Sequence, residues 1–556
     1  MKQLLVSIGI LTIAMGQAYA AGSGCINPTQ ANQEQSLLSR QLTDTQPLPE
    51  ADTTSYIRSI RFVQNNIFDT DKPEENNWLF RLANDMHIMT DQQVLQNILL
   101  FAQEDPYNPE LLRESERLLR EQEYLYDARI YAFKYCDGSV DVTVETKELW
   151  TLLPEISFSR SGGDNRSTIG FRDSNFLGWG KRISLARTND GDRTGYEFIY
   201  ADPNVLGSRY RSRIEYADND DGERHWVSLS YPFFSLATPT SYGFSNGSNR
   251  RVERLYDKGE EISEFSQHTT QSSLFYGRSS SPADDWTRRI VVGYHYQKER
   301  FYELDNTNLP LAKQRVFSYP YVSVNWLQDE YVKVHNIDSI TRTEDLNLGW
   351  QINTLLGYSP ESLSDDISRY IIKLNVSRSH YINQNSLWRW QVGINGAVLE
   401  QDLKAENLML STQAEYFYNS DSDESWYVKV NLDGAQGLTA DKQLTLGGDT
   451  GLRGYPSDYQ QGDRRALVSI EKRYYWEYNL WQLFRVGGAA FYDGGQAWQN
   501  SNDSSTHFRQ NVGLGLRLAP SRANAGTVIH FDVARPINRP DDVDSLQWLI
   551  TVKNSF

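Results

Sequence analysis

The sequence predicts an all-β transmembrane β-barrel over residues 151–556, behind a small N-terminal α+β domain over residues 56–150. Three observations predict it. The chain carries 33 Tyr, 22 Phe and 14 Trp in 556 residues, yet its mean hydropathy is −0.59. Past residue 20 no stretch approaches the eighteen or more apolar residues that a spanning helix needs. From Leu153 onward the chain reads as strand-like segments parted by Asp, Asn, Gly and Ser turns. A spanning barrel gives this profile because lipid-facing and lumen-facing residues alternate, which halves the apolar content, while aromatics gather at both interfaces.

The N-terminus opens with Lys2, an apolar run from Leu4 to Met15 and Ala18-Tyr19-Ala20, so residues 1–20 read as a secretory signal peptide. Residues 21–55 are rich in Gln, Thr, Ser and Pro and read as a flexible leader. Gly22-Ser23-Gly24 lacks the aliphatic residue of a lipoprotein cleavage box. The two cysteines, Cys25 and Cys136, could form one disulfide in an oxidising compartment. A formal charge of −17 disfavours a nucleic-acid partner.

In the α+β domain, Ile57, Ile60, Phe62 and Val63 suggest a strand, and Val94, Ile98, Leu99 and Phe101 fall at helical spacing. Asn108-Pro109-Glu110 then looks like a helix start, with Leu111, Leu112, Leu118 and Leu119 along its stripe. Two strands follow, Ala128 to Tyr135 and Val140 to Glu145, joined by the hairpin signal Asp137-Gly138. Residues 66–90 are longer than a link between first strand and first helix requires, so an insertion is expected there.

In the barrel region several segments alternate cleanly. Leu346, Leu348, Trp350, Ile352 and Leu356 oppose Asn347, Gly349, Gln351 and Asn353. Trp426, Val428, Val430 and Leu432 oppose Tyr427, Lys429 and Asn431. Val512, Leu514, Leu516 and Leu518 oppose Asn511, Gly513, Gly515 and Arg517. A side-chain period of two assigns each set one face. Apolar outside and polar inside describes a wet lumen, whereas a soluble sandwich inverts it, and alternation alone leaves both open. Residues 298–315 and 328–343 read as longer, extracellular loops.

Three motifs narrow the class. Gly447 to Tyr455 reads Gly-Gly-Asp-Thr-Gly-Leu-Arg-Gly-Tyr, Phe491 to Gly495 reads Phe-Tyr-Asp-Gly-Gly, and Leu546, Trp548, Ile550, Val552 and Phe556 line one face of the last strand. Together they resemble the outer-membrane assembly and secretion-pore superfamily, also called the bacterial surface antigen family, which includes barrel-assembly and two-partner secretion transporters. Asp173 to Lys181 is similar to that family's turn near the barrel start. The resemblance implies that residues 447–463 form a loop folded into the lumen, where Arg453 pairs with Asp493, with Gly454 and Tyr455 completing the signature. Glu471 is a second candidate acceptor, since a guanidinium offers five donors in a fixed fork. It implies that Trp548, Ile550, Val552 and Phe556 form the insertion signal. The family has sixteen strands, but nearer twenty candidates can be counted here, with the surplus between about 265 and 358. Either hairpins leave the membrane there or the barrel is larger than the type.

Strand, helix, helix, strand, strand resembles one polypeptide-transport-associated (POTRA) domain, which the family places in the periplasm. In such domains the second strand, here Arg129, Ile130, Tyr131, Ala132, Phe133, Lys134 and Tyr135, can pair with an incoming extended chain. The plainer reading is a domain edge guarded by Arg129 and Lys134.

Enzymatic constellations do not survive their context. Gly243-Phe244-Ser245-Asn246-Gly247 spells a nucleophile elbow, but no helix follows it, and it reads as a barrel loop. The eight His show no ligand spacing, so no metal and no cofactor is expected. Asp220-Asp221 and Asp541-Asp542 read as solvated loop charges. The resemblance implies an outer-membrane protein with its N-terminal domain in the periplasm. It implies partners in outer-membrane lipid, an unfolded or extended polypeptide and periplasmic accessory proteins. Its function is then to assist insertion, assembly or translocation of polypeptides; a dedicated secretion pore for one partner, or a lipid or passive transport barrel, is the alternative.

Overall fold

The computed structural model describes residues 48–190, 192–280, 285–340, 342–364, 366–421, 423–499, 507–523 and 527–553. The signal peptide, most of the leader, Cys25 and Phe556 lie outside the described residues, and with them the expected disulfide to Cys136 and the terminal aromatic.

Residues from Leu152 onward form a closed antiparallel barrel of twenty strands, running from Leu152–Ser161 to Gln547–Lys553. Closure leaves no sheet edge to be satisfied by lipid, which is why a spanning sheet must close. Between first and last strands the described residues give one register pair, Ile550 opposite Arg160. The barrel is therefore larger than sixteen strands, and the surplus noted between 265 and 358 lies mostly in its wall.

The faces follow the period of two. On the strand Arg509–Pro520, Leu514 is 69% exposed and Val512 and Leu516 are also exposed, while Asn511 and Arg517 are fully buried. Trp426 and Leu432 are exposed and Tyr427 buried; on the last strand Trp548 and Val552 are exposed and Leu549 buried. Apolar side chains outside and polar ones inside are the reverse of a soluble sandwich.

Sequence neighbours are wall neighbours except at two excursions. After Arg315–Gln328 the chain forms a small hairpin, Tyr331–Val334 with Glu344–Asn347, before re-entering the wall at Gln351–Ser359. After Glu424–Gln436 it forms another, Leu444–Leu446 with Gln460–Gly462, before Arg464–Leu480. Strand parity assigns their ends. The first strand runs from a near rim, where the N-terminal residues join it, to a far rim at Gly162. The first excursion follows the tenth strand and so opens at the near rim; the second follows the fifteenth and opens at the far rim. This corrects two expectations. Residues 328–343 are not a loop on the side opposite the N-terminal residues, and Leu346 and Leu348 are not on the outer face but pack against the buried cluster of Val334, Ile337, Leu387, Phe417 and Tyr427. Alternation carries no information about which end of a strand a segment occupies. Of residues 298–315, only 304–314 form a loop, at the far rim; 298–303 belong to the strand Trp286–Glu303 and Arg315 opens the next.

The N-terminal residues form strand β1 (Tyr56–Asn65), helices α1 (Trp78–Met86), α2 (Gln92–Ile98) and α3 (Pro109–Arg120), then strands β2 (Leu125–Lys134) and β3 (Ser139–Glu148). The strands make a sheet in the order β1, β3, β2. Helix α1 fills the expected insertion. By compactness the described residues divide into one unit of 48–62, 101–113 and 130–144, and a second of 63–100, 114–129 and 145–553. The first unit buries Ile57, Tyr135, Val140 and Val142. Asp141 accepts from Arg58 Nε at 2.9 Å, Ser59 Oγ at 2.7 Å and the Tyr135 hydroxyl at 3.0 Å.

Within the second unit, the near-rim turn of Asp173 to Lys181 receives the segment before α2. Asn175 Nδ2 donates to Thr90 Oγ1 at 2.9 Å, and Asp91 N donates to the Gly178 carbonyl at 2.8 Å. Gly178 sits at φ +76, and a Cβ there would stand 2.5 Å from the Met89 carbonyl oxygen. Glycine is required on both counts. Gly178→Ala is expected to cost on the order of 1–3 kcal/mol at this junction. Limited proteolysis should show faster cleavage within residues 63–100, while the barrel keeps its heat-modifiable migration on gels.

Candidate functional site

The far-rim excursion folds back between its two short strands into a tight tip. Gly448 N donates to the Pro456 carbonyl at 3.0 Å, and Leu452 N to the Gly447 carbonyl at 2.9 Å. Leu446, Leu452, Tyr455, Tyr459, Leu467, Ala497 and Val543 form a buried cluster beneath it. The tip also touches the first hairpin of the barrel, since Ser457 N donates to the Gly162 carbonyl at 3.0 Å. Gly454 lies against the wall: its N–H donates to Asn511 Oδ1 at 3.0 Å, and a Cβ would fall 2.5 Å from Asn511 Cβ. The Tyr455 hydroxyl donates to the Gln510 carbonyl at 3.3 Å.

This seating points Arg453 into the wall. Its Nε and Nη2 donate to the two oxygens of Asp493 at 2.8 and 2.7 Å, and its Nη1 donates to Glu471 Oε1 at 2.8 Å. The guanidinium carbon also stands 3.4 Å from the centre of the Phe491 ring, a cation–π stack. Strand register brings the acceptors together: Ser469 lies opposite Asp493 and Glu471 opposite Phe491, on the strands Arg464–Leu480 and Phe484–Trp498. Burial disfavours the arginine's charge, but Asp493 and Glu471 outweigh it and hold the group above its ordinary value.

Around this fork further charges pair. Arg473 Nε donates to Glu471 Oε2 at 3.0 Å, and Arg517 Nη1 donates to Asp532 Oδ1 at 2.6 Å, with Asp532 Oδ2 at 3.5 Å from Arg453 Nη1. Asn511 Nδ2 donates to Asp493 Oδ2 at 2.8 Å. The structure thus brings Arg453, Asp493, Glu471, Gly454 and Tyr455 to one place. Sequence reasoning missed Asn511, Asp532, Arg473 and Arg517, which are unremarkable inward positions of a polar face. Phe491 stood inside the motif, and its ring was the available signal.

The near-rim excursion enters the same lumen from the other end. Asp338 receives both terminal nitrogens of Arg389, at 2.7 and 2.9 Å, and the Tyr475 hydroxyl donates to the Asn336 carbonyl at 3.2 Å. On its other side the hairpin is tied to residues 114–129. Arg120 Nε and Nη2 donate to Asp345 at 2.7 and 2.6 Å, Arg342 Nη2 donates to the Arg120 carbonyl at 2.9 Å, and the Arg117 guanidinium lies 3.7 Å from the Tyr331 ring centre. Along the wall lies a cavity of about 690 Å³ faced by Asn353, Asn375, Gln391, Gln413 and Asn431. It is lined by the amide side chains of the inward strand face.

The remaining candidates fall elsewhere. β2, with Arg129 to Lys134, is an outer strand of its sheet, but Arg129, Ile130, Tyr131 and Tyr135 are already engaged in interactions. Trp548, Ile550 and Val552 sit on the last strand. Gly243 to Gly247 is not a loop: it lies inside the barrel strand Thr240–Asp257, which also contains the expected turn at Ser248 to Arg251.

Removing one partner of a buried, hydrogen-bonded ion pair costs about 3–5 kcal/mol, less where lumen water screens it. Arg453→Ala should therefore lower the temperature at which the folded band on semi-native gels is lost. Arg453→Lys should lower it too, because a point charge cannot span both oxygens of Asp493. A wild-type transition in both variants would remove the clamp from the account.

The Omp85 superfamily domain matches residues 175–556. Similar solved structures include CdiB from Escherichia coli, at 13% identity and TM-score 0.46 over 90% of this chain and 76% of that one. CdiB from Acinetobacter baumannii gives 13% and 0.44 over 90% and 73%. BamA from Haemophilus ducreyi lacking POTRA domains 1-3 gives 14% and 0.38 over 91% and 86%. No curated protein sequence matches the chain. With its domain match spanning more than half its length, the chain belongs to the Omp85 superfamily, whose members are outer-membrane β-barrel transporters and assembly factors.

Proposed function

We propose that this protein assists the insertion, assembly or translocation of polypeptides at the outer membrane, with the near rim and the N-terminal residues on the periplasmic side. The observation that carries the reading is the Arg453 fork. A lumen loop clamped to three wall residues by a buried guanidinium is more than a passive pore requires. The second excursion supports it, because a channel occupied from both rims must rearrange before a chain can pass. The amide-rich wall between them offers donors and acceptors suited to peptide groups without fixing a sequence.

Residues 56–150 act in this reading as a single POTRA domain that receives substrate, with β2 as the strand nearest to it. The first and last strands, paired at Ile550 and Arg160, are the place where the wall would part. A dedicated pore for one secreted partner is the second reading, favoured by the same clamp if the wall stays closed.

A photocrosslinking amino acid at Ala132, activated in intact cells, separates these readings. Capture of many barrel precursors is the expected result for an assembly factor, and capture of one secreted protein would indicate the dedicated pore. Capture of no polypeptide would sink both.

A further inference from the structure

Helix α1 has three sectors, set by a turn of about 100° per residue. Phe80, Ala83 and Asn84 face the protein. Phe80 stacks on Phe68 with ring centres 4.0 Å apart, and both join Ile67, Ala83, Trp150 and Leu483 in one apolar cluster. Asn84 closes the dock, accepting from Phe68 N at 3.1 Å and donating to the Phe68 carbonyl at 2.8 Å, while Asn77 caps the helix by accepting from Phe80 N at 2.9 Å. Arg81 and Asp85 form a second, charged sector. The third holds Trp78, Leu79, Leu82 and Met86, which are 70%, 52%, 44% and 63% exposed.

A helix held this firmly presents its open apolar sector in a fixed direction. Exposing four large apolar side chains together is unfavourable in water, so something apolar covers them. The site of docking says what. Leu483 belongs to the near-rim turn between Arg464–Leu480 and Phe484–Trp498, the outer face leading down to that turn carries exposed Tyr474, Trp476 and Tyr478, and Trp481 in the turn itself is exposed. These are residues of the lipid-facing surface, and Tyr and Trp are the side chains that settle at the membrane–water boundary. Beyond α1 the apolar surface continues through Ile88 to Leu177 and Trp179 of the near-rim turn that Gly178 packs against it.

The geometry points to α1 as an interfacial helix that lies on the phospholipid leaflet at the near rim, with Trp78, Leu79, Leu82 and Met86 sunk among headgroups and upper acyl chains. Arg81 and Asp85 remain in water on the adjacent sector, the arrangement of an amphipathic helix lying in the plane of a membrane. Arg522 secures it to the barrel, since its Nη1 donates to the Ile67 carbonyl at 3.2 Å, its Nη2 donates to Glu75 at 2.5 Å, and its carbonyl accepts from Trp150 N at 2.7 Å. The helix thereby fixes residues 63–100 against lipid at the near rim.

The test uses the full chain in vesicles of phosphatidylethanolamine and phosphatidylglycerol, with a benzophenone amino acid at Leu82 in one variant and at Asp85 in another. Heat-modifiable migration of each variant establishes that its barrel is folded. After irradiation, mass spectrometry should find phospholipid adducts at position 82 in several-fold excess over position 85. Equal adduct yields at the two positions, no lipid adduct at position 82, or adducts there to a second copy of the chain would overturn the inference.

Discussion

An arginine buried inside a barrel must be neutralised where it sits, and that requirement organises the far half of this molecule. Arg453 reaches its acceptors only if the tip of its loop turns tightly, if Gly454 lies flat against Asn511, and if the strands bearing Glu471 and Asp493 are in register. Each condition is met by a different part of the chain. The clamp is therefore a check on the whole far half: a slip of one residue in either strand would send that strand's carboxylate to the lipid face.

The near half is held by a different device. There the 329–350 excursion is tied inward through Asp338 to Arg389 and outward through Asp345 to Arg120, so one hairpin couples the lumen to the end of α3. Residues 114–129 are thus linked to the inner wall at Arg389 through the two bidentate contacts of one hairpin. An α1 seated on lipid would give the same region of the chain a fixed reference against the membrane, so that movement of α3 and the hairpin is movement relative to the bilayer.

Much of this was legible in the sequence because the barrel writes its geometry at period two. The strands around Trp426 and Val512 assigned their own faces, and the resemblance carried by Leu452 to Tyr455 and Phe491 to Gly495 implied a lumen loop paired to Asp493, with Glu471 as a second acceptor. What stayed hidden depends on counting. Whether residues 328–343 emerge at one rim or the other turns on the number of preceding strands, and an error of one reverses the answer. Leu346 and Leu348 misled for a related reason: a hairpin inside the lumen alternates as regularly as one in the wall. Helix α1 was too short to declare itself, since nine residues with a charged, an apolar and a buried sector give no single stripe. Asn511 and Asp532 are inward polar residues like many others until the loop arrives.

Two excursions that hold the lumen must yield before a chain can pass. Ionic conductance of the full chain in a planar bilayer, measured against a variant in which residues 331–347 are replaced by a short Gly-Ser turn, tests it most directly. The variant should conduct in larger steps than the wild type, and the steps should rise further when Arg453→Ala is added. Conductance unchanged from wild type in both variants would contradict it.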